Sequence, residues 1–184
     1  MKISTIIIIA TTTLALVAAA FIANAQKTIA ITSSTVINAS QEEILQILKS
    51  YEQFPEWSPF LVADPEQKHH VTGEDGELGS TFHWEGVGEK SKGSQTLTKV
   101  ENNYLQMDCT ITVPFESNPV FEYYLNSTDK GIEVVQEFQV EVGSFAHFMM
   151  KLFGVKKQMT ETNALGMQRL KNYVESQSSI AQAE

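Results

Sequence analysis

The fold is decided by residues 144–174, which read SFAHFMMKLFGVKKQMTETNALGMQRLKNYV. After Gly154 the apolar or small residues recur every three or four positions, as one face of a helix requires. These predicted inward positions are Val155, Met159, Thr162, Gly166, Leu170 and Tyr173. A glycine in a helix interior costs about 1 kcal/mol relative to alanine. Gly166 therefore predicts either close packing of the helix backbone on a sheet or, together with Thr162, a hollow that a ligand fills.

The composition indicates one soluble domain with a core of its own. The 184 residues are 42% hydrophobic and 19% charged, which leaves little room for a second domain. The formal net charge is -9, and removing Lys2, the only charged residue of the leader, makes it -10. This acidity argues against nucleic acid or an anionic lipid surface as an electrostatic partner. Cys109 is the only cysteine, which excludes a disulfide within the chain and a CxxC motif.

The leader, residues 1–25, has the pattern of a secretory signal peptide. Lys2 precedes an apolar run over residues 6–22, and Ala23-Asn24-Ala25 is a small-x-small cleavage site. The pattern predicts cleavage before Gln26. The alternative is an uncleaved membrane anchor, because the run approaches the roughly 20 residues that span a bilayer. In both cases the folded part is expected to be exported, either to the bacterial periplasm or anchored to the inner membrane and facing outward.

The next part of the chain predicts a strand, a capped helix and an aromatic turn. Residues 27–37 alternate β-branched and small side chains, which favours a strand. Ser40 and Glu43 have the spacing of a capping box, so a helix is expected to begin here and to end before Pro55. Residues 54–60, FPEWSPF, then place two prolines and three aromatic rings in a short turn.

Alternating apolar and polar residues predict several antiparallel strands in the remainder. In residues 81–85, Phe82 and Trp84 share one face of the predicted strand, while His83 and Glu85 share the other. The other predicted strands are residues 93–100, 105–113, 121–125 and 132–141. With one capped N-terminal helix and one long C-terminal helix, these strands make an α+β domain.

Four motifs precede the closing helix in a definite order. They are STVINAS at 34–40, FPEWSPF at 54–60, GSTFHWEG at 79–86 and GSQTL at 93–97. This succession resembles the START-like, or SRPBCC, superfamily in its polyketide cyclase/dehydrase-like branch. The resemblance implies a helix-grip fold, in which a curved antiparallel sheet wraps a long C-terminal helix around a deep apolar cavity. Such a domain is expected over residues 26–176, followed by a disordered tail over 177–184. The superfamily includes lipid and sterol carriers, hormone receptors and aromatic cyclases, so the resemblance predicts fold better than activity.

The resemblance implies that the residues facing the cavity form a ligand-binding site. The candidates are Trp57, Phe60, Phe82, Trp84, Met107, Tyr123, Gln136, Phe138, Met159, Thr162 and Gly166. Gln136 falls among apolar neighbours on its strand, so its amide needs a partner in the protein, in water or in a ligand. Tyr123 is expected either to present its hydroxyl to the same cavity or, as is commoner, to reach the rim of the cavity with its hydroxyl in water.

Other reactive side chains have simpler interpretations. His83 and Glu85 point the same way and could bind a metal or form an acid-base pair. Solvated side chains on the outer face are the favoured interpretation, because the other histidines are distant in sequence. Cys109 lies on an apolar face and is interpreted as a small buried hydrophobe rather than a nucleophile. No phosphate-binding glycine loop or GxSxG elbow is present, and neither a cofactor nor a metal is predicted.

An apolar set precedes Gly154. Its members are Phe145, Phe148, Met149, Leu152 and Phe153. These side chains are expected either to cover the cavity mouth as a lid or to pack on the domain. Four methionines between residues 149 and 167 suit either a pocket for varied ligands or a soft core.

These observations predict an exported, monomeric protein that holds a hydrophobic small molecule or lipid, with Gln136 and Tyr123 orienting it. The first alternative is a cyclase or dehydratase, which needs an acid-base group in the cavity, and no inward carboxylate or histidine is predicted. The second is a ligand-free envelope interaction module, which predicts an exposed aromatic patch at Trp57 and Phe60 over a filled core. Nucleic acid is not an expected partner, and membrane contact is expected only through an uncleaved N-terminal segment.

Overall fold

Seven antiparallel strands form one sheet in the computed structural model, which describes residues 26–181. Their bounds are β1 Gln26–Ile37, β2 Lys68–Thr72, β3 Thr81–Glu85, β4 Lys92–Glu101, β5 Tyr104–Val113, β6 Val120–Thr128 and β7 Gly131–Gly143. Across the sheet they lie in the order β1-β7-β6-β5-β4-β3-β2. The leader, with its predicted cleavage or anchoring, lies outside the described residues.

Five α-helices accompany the sheet within residues 26–181. They are α1 Gln41–Lys49, α2 Phe54–Trp57, α3 Pro59–Ala63, α4 Ser144–Leu152 and α5 Val155–Ala181. None of the helices in this part of the chain is long and apolar enough to cross a membrane. The predicted α+β class is confirmed, because one antiparallel sheet and one long C-terminal helix form the bulk of the domain.

The capping box forms as predicted. The Ser40 hydroxyl accepts a hydrogen bond from the Glu43 backbone N–H at 3.2 Å, and a Glu43 carboxylate oxygen accepts from the Ser40 N–H at 2.8 Å. These bonds satisfy two backbone donors that a helix start otherwise leaves unpaired. The Ser40 hydroxyl also donates to the Glu43 carboxylate at 2.6 Å, and this bond, followed by the one from the Ser40 N–H, lowers the pKa of the Glu43 carboxyl. The helix buries Ile44, Ile47 and Leu48 against the core.

The predicted aromatic turn is two short helices instead. Pro55 and Pro59 occupy the first turns of α2 and α3, where proline's fixed φ and missing N–H suit a helix. The Ser58 hydroxyl accepts from the Phe60 N–H at 3.3 Å and so begins α3. The prolines that suggested a turn are therefore the residues that start each helix.

Strand β2 was not predicted. Its sequence KHHVT holds one apolar residue, Val71, and is mostly exposed, so it lacks the alternation that marks a strand. It pairs with β3 at one edge of the sheet and places His70 opposite His83. Strand pairing thus brings together histidines that are distant in sequence.

The long C-terminal helix is broken into α4 and α5. Gly154 separates them with a φ of 66°, a left-handed conformation that glycine adopts readily. α5 runs beyond Val174 to Ala181, so the predicted disordered tail is wrong for residues 177–181. Ser178 is buried there, and its hydroxyl lies 3.5 Å from Glu43 Oε1 of α1, which shows that the helix still packs on the domain at this point. Residues 182–184 lie outside the description.

Hydrogen bonds from side chains of α5 hold this helix against the rest of the domain. The helix packs against β1 and the four shorter helices. Arg169 donates to Trp57 O at 3.2 Å and to Glu56 O at 2.8 Å. The Lys171 ammonium donates to Val36 O. Because these acceptors lie in α2 and β1, the sheet and the short helices hold the long helix from two sides.

Candidate functional site

A cavity of about 580 Å³ lies between the sheet, α3 and α5. Strands β3 to β7 supply its floor through inward side chains such as Phe82, Cys109, Phe121 and Phe138. These side chains face inward because successive residues of a strand point to opposite faces of the sheet. The further lining residues are Phe54, Ser58, Pro59, Phe60, Val62, Ala63, Asp64, Gln67, Trp84, Ser91, Gln95, Ile111, Val113, Pro114, Pro119, Gln158, Met159, Thr162, Asn163 and Leu165. The wall is mainly apolar, as an apolar ligand requires.

The position of Gly166 explains where the cavity lies along α5. A Cβ added at Gly166 would lie 3.1 Å from Pro59 Cγ and 3.2 Å from Pro59 Cδ. The close approach predicted for this glycine is therefore made, but to the proline ring of α3 rather than to the sheet. The hollow lies toward the N-terminal half of the helix, where Met159 and Thr162 line it.

A second, small cavity of about 10 Å³ adjoins the first. Its walls include five of the predicted site residues, namely Trp57, Phe60, Tyr123, Gln136 and Gly166. Its volume is about that of one water molecule. Asn163 lines both cavities, so this small space forms the polar inner end of the large apolar one.

Gln136 and Tyr123 form a buried pair beside the small cavity. The Gln136 amide nitrogen donates to the Tyr123 hydroxyl oxygen at 2.7 Å. Tyr123 is only 2% exposed, so the prediction of a hydroxyl at a wet rim is wrong. The hydroxyl points into the domain because its strand position faces α5, and burial raises the pKa of Tyr123. Gln136 is half satisfied, since its Oε1 has no hydrogen-bond partner among the described residues.

Two further buried donors lie nearby. Within residues 26–181 neither Asn163 Nδ2 nor Trp57 Nε1 has a hydrogen-bond partner. Asn163 was missed because the helical spacing selected its neighbour Thr162 as the inward residue. The structure turns both toward the interior, since the inward face of α5 is wide enough to include adjacent positions.

All but one of the predicted cavity residues line at least one of the two spaces, and Phe60 lines both. The large cavity is lined by Phe60, Phe82, Trp84, Phe138, Met159 and Thr162. Met107 lines neither space, because it is fully buried in the sheet and its sulfur accepts a hydrogen bond from the Gln95 amide. Trp57 is also fully buried, whereas Phe60 lines the large cavity and is 44% exposed. Of the two residues of the aromatic patch expected of an interaction module, only Phe60 therefore reaches the surface.

The cavity wall contains one carboxylate among the described residues, which the sequence did not predict. Asp64 follows α3, and its Oδ2 accepts a hydrogen bond from the Val87 backbone N–H at 3.0 Å. The loop after β5 also supplies Pro114 and Pro119. Neither segment has a periodic pattern, so no sequence signal marks these residues as cavity walls.

His70 and His83 lie on the outer side of the sheet, whereas His69 stacks on the ring of Phe82 with centroids 5.3 Å apart. His83 Nε2 is 2.9 Å from the Thr72 hydroxyl oxygen, and its ring stacks on His70 with centroids 4.7 Å apart. Glu85 pairs with Lys92 at 3.0 Å. Within residues 26–181 no three His, Cys, Asp or Glu side chains are grouped as metal ligands. Cys109 is buried, as predicted, and burial raises the pKa of its thiol.

The predicted lid does not cover the cavity. Phe145, Phe148, Leu152 and Phe153 are all exposed, and none of them lines the large cavity. The alternative, packing on the domain, is also wrong for these four side chains. The left-handed turn at Gly154 ends α4, so its helical face does not continue into α5.

Comparison with known proteins supports this description. The family model described as polyketide cyclase/dehydrase and lipid transport matches residues 28–175. No curated protein matches the sequence significantly.

Several solved structures share the fold at low sequence identity. A Staphylococcus aureus protein of unknown function superposes with a TM-score of 0.63 at 10% identity, over 84% of this chain and 98% of its own. A Chromobacterium violaceum protein gives 0.59 at 11% identity, over 79% and 96%. Norcoclaurine synthase from Thalictrum flavum, in complex with dopamine and hydroxybenzaldehyde, gives 0.56 at 14% identity, over 79% and 88%. At these identities the likeness shows the helix-grip fold alone.

Proposed function

The chain belongs to the polyketide cyclase/dehydrase and lipid transport family, and on that premise we propose that it binds a hydrophobic small molecule or lipid between α5 and the sheet. The cavity of about 580 Å³ with a mainly apolar wall carries this proposal. Pockets for small ligands have volumes of about 300–1,000 Å³. Each square ångström of apolar ligand surface buried there contributes about 25 cal/mol, which favours a ligand with little polar surface.

The inner end of the cavity supports a ligand with one polar end. Asn163 Nδ2 and Gln136 Oε1 are buried, and neither has a partner among the described residues. An unpaired buried polar atom costs about 1–3 kcal/mol. A hydroxyl or a protonated carboxyl group offers both an acceptor for Asn163 and a donor for Gln136, directly or through one water in the small cavity. The proposed ligand is therefore a hydrophobic body with a single such end.

Export is part of the proposal. It is supported by the order of Lys2, the apolar run and the Ala-Asn-Ala site at residues 23–25. A protein that holds a hydrophobic molecule outside the cytoplasm shields that molecule from water between membranes, which is consistent with the apolar cavity.

A second candidate is an enzyme of cyclase or dehydratase type, favoured by the carboxylate at the cavity wall. Asp64 can exchange a proton with a bound substrate, and its hydrogen bond from the Val87 N–H holds it in place. The two functions are distinguished by Asp64→Asn. This substitution abolishes turnover in an enzyme, whereas a binding protein keeps its ligand and shows no turnover before or after the change.

Native mass spectrometry of the protein recovered from its host tests binding and export together. A hydrophobic species bound at a ratio of about one to one is expected, because the large cavity is a single space of drug-ligand size. If the leader is cleaved, the intact mass is expected to equal that of a chain that begins at Gln26. Recovery of an empty protein that also fails to bind cis-parinaric acid, a fluorescent fatty acid, overturns the binding proposal. Exclusive recovery from the cytoplasm with Met1 attached overturns export.

A matched pair of substitutions locates the ligand. Thr162→Trp places an indole in the cavity, whereas Thr160→Trp places the same group on the exposed side of the same helix. The first is expected to weaken cis-parinaric acid binding by about tenfold or more, equivalent to roughly 1.4 kcal/mol. The second is expected to leave binding and the melting temperature unchanged. Equal affinities in the two folded variants would place the ligand elsewhere.

A further inference from the structure

Helix α4 and the residue that follows it present four large apolar side chains to the surface. Phe145 is 73% exposed, Phe148 60%, Leu152 64% and Phe153 72%. The first three follow helical spacing and so share one face, and Phe153 comes directly after. We name these four residues the α4 patch. The opposite side of the helix contacts β1, β7 and α5, where Met150 packs against the core. Monomeric proteins rarely expose such a contiguous apolar surface without a partner for it.

The segment that carries the α4 patch is positively charged in an otherwise acidic chain. The chain carries 13 Lys and Arg against 22 Asp and Glu. Residues 144–160 nevertheless contain Lys151, Lys156 and Lys157 and no acidic residue. All three lysines are exposed, and the first acidic side chain beyond them, Glu161, lies 3.8 Å from Lys157. Lysines beside exposed phenylalanine and leucine are typical of helices that lie in the interface of an anionic membrane.

The α4 patch lies at the end of the sheet where the cavity reaches the surface. Gln158 is exposed, lies one to two helical turns beyond Phe153 and lines the cavity. Pro114, also exposed, lines the cavity from the loop after β5, and its neighbour Phe115 is 80% exposed. A flat apolar partner that covers the patch would therefore also lie beside the cavity entrance.

The leader joins the domain at the same end. Gln26 is paired with Gly143, the residue immediately before α4. The apolar run ends at Ile22, so the four peptide units between it and Gln26 reach at most about 14 Å. A membrane that held this run would lie within reach of the patch, and a membrane is the partner that this position favours.

We propose that the α4 patch docks on an anionic phospholipid surface, with the phenylalanines in the acyl boundary and the three lysines at the headgroups. The overall acidity of the chain would argue against binding to an anionic surface if its charges were spread evenly. Residues 144–160 instead carry three lysines and no acidic residue. Docking in this orientation turns the cavity entrance toward the lipid. The inference does not depend on the identity of the cavity ligand, because the patch and the cavity have different walls.

Tryptophan fluorescence tests the contact in the full chain, with or without its leader. Phe148→Trp places a reporter in the patch, and Leu78→Trp places one at an exposed apolar position of the turn before β3, away from it. With vesicles of phosphatidylglycerol and brominated phosphatidylcholine, the emission of the Phe148→Trp protein is expected to shift to shorter wavelength and to be quenched. The emission of the Leu78→Trp protein is expected to remain unchanged. Equal responses of the two proteins, or no quenching in either, overturn the proposal.

Cosedimentation with vesicles measures the contribution of the three lysines to membrane binding. In the form that begins at Gln26, replacing each of Lys151, Lys156 and Lys157 by Gln is expected to reduce cosedimentation with phosphatidylglycerol vesicles roughly fivefold per charge. Vesicles of phosphatidylcholine alone should bind weakly.

Two other occupants of the patch would also overturn the proposal. A dimer that dissociates on Phe148→Ser would identify a second copy, and a short-wavelength Phe148→Trp emission without vesicles, seen only with the leader present, would identify the leader.

Discussion

The C-terminal half of α5 is tightly packed, whereas its N-terminal half borders a cavity. Leu170 and Val174 are completely buried. Val155, Met159 and Thr162 occupy the equivalent inward positions about two to four turns before Leu170, yet they are only half-buried. The same helical face therefore meets filled core at one end and open space at the other.

Polar contacts follow the same division. Arg169 and Lys171 donate to backbone carbonyls of α2 and β1, and Glu175 accepts from the Asn38 N–H at 2.9 Å. In the N-terminal half, Lys157 and Glu161 form only an exposed pair with each other. The difference indicates that one half of the helix supplies the stability of the fold, which leaves the other half free to enclose a ligand.

The largest test of this division removes apolar atoms from each half. Leu170→Ala is expected to lower the free energy of unfolding by about 2–5 kcal/mol, because it leaves a void in a filled core. Met159→Ala is expected to cost about 1 kcal/mol, because one side of Met159 already faces the cavity. Urea unfolding of the ligand-free proteins measures both. Equal losses would contradict the division of α5 into a packed and an open half.

Gly166 lies at the boundary between the packed and the open half of α5. The second test is whether this position can accept a larger side chain. Gly166→Leu is expected to destabilise the fold by about 1–3 kcal/mol, because the new side chain begins against the ring of Pro59. Ala164→Leu adds the same side chain to an exposed position of the helix and is expected to change stability by less than about 0.5 kcal/mol. A Gly166→Leu protein as stable as the Ala164→Leu protein would show that the space beside Pro59 is open.

Most of the fold follows from local patterns in the sequence. The capping box at Ser40, the alternating strands β3 to β7 and the helical spacing after Gly154 are each determined by neighbouring residues. Strand β2 was missed because its side chains are mostly exposed and only its pairing with β3 makes it a strand. The break at Gly154 was missed because apolar spacing continues on both sides of it.

The site was less predictable, because a cavity depends on what several elements leave empty. Six of the candidate residues line the large cavity, since strand alternation and helix spacing determine which side chains face inward. Met107 also faces inward, but it packs in the core instead of lining the cavity. The local sequence pattern does not distinguish these two environments. Asp64 and the loop after β5 reach the wall only through the packing of α3 and the sheet.

The smallest expected difference is in the stability that a carboxylate contributes in the packed half and in the open half of α5. The hydrogen bond from the Asn38 N–H, and then Lys171 at 3.1 Å, hold the pKa of the Glu175 carboxyl below its ordinary value of 4.5. The stability gained from this shift is complete above pH 4.5 and is lost as the pH falls through the lowered pKa, because the unfolded chain then binds the proton more readily.

Glu175→Gln is therefore expected to cost about 1 kcal/mol or less at neutral pH, since the side chain is 32% exposed and partly screened. The difference from the parent protein should shrink as the pH falls below 4.5, where the parent carboxyl becomes protonated. Glu161→Gln, in the open half, should have no measurable effect at any pH, because its ion pair with Lys157 is exposed. Urea unfolding across this pH range measures both variants. A loss at Glu161 as large as that at Glu175 would show that the open half of α5 is held by charge as firmly as the packed half.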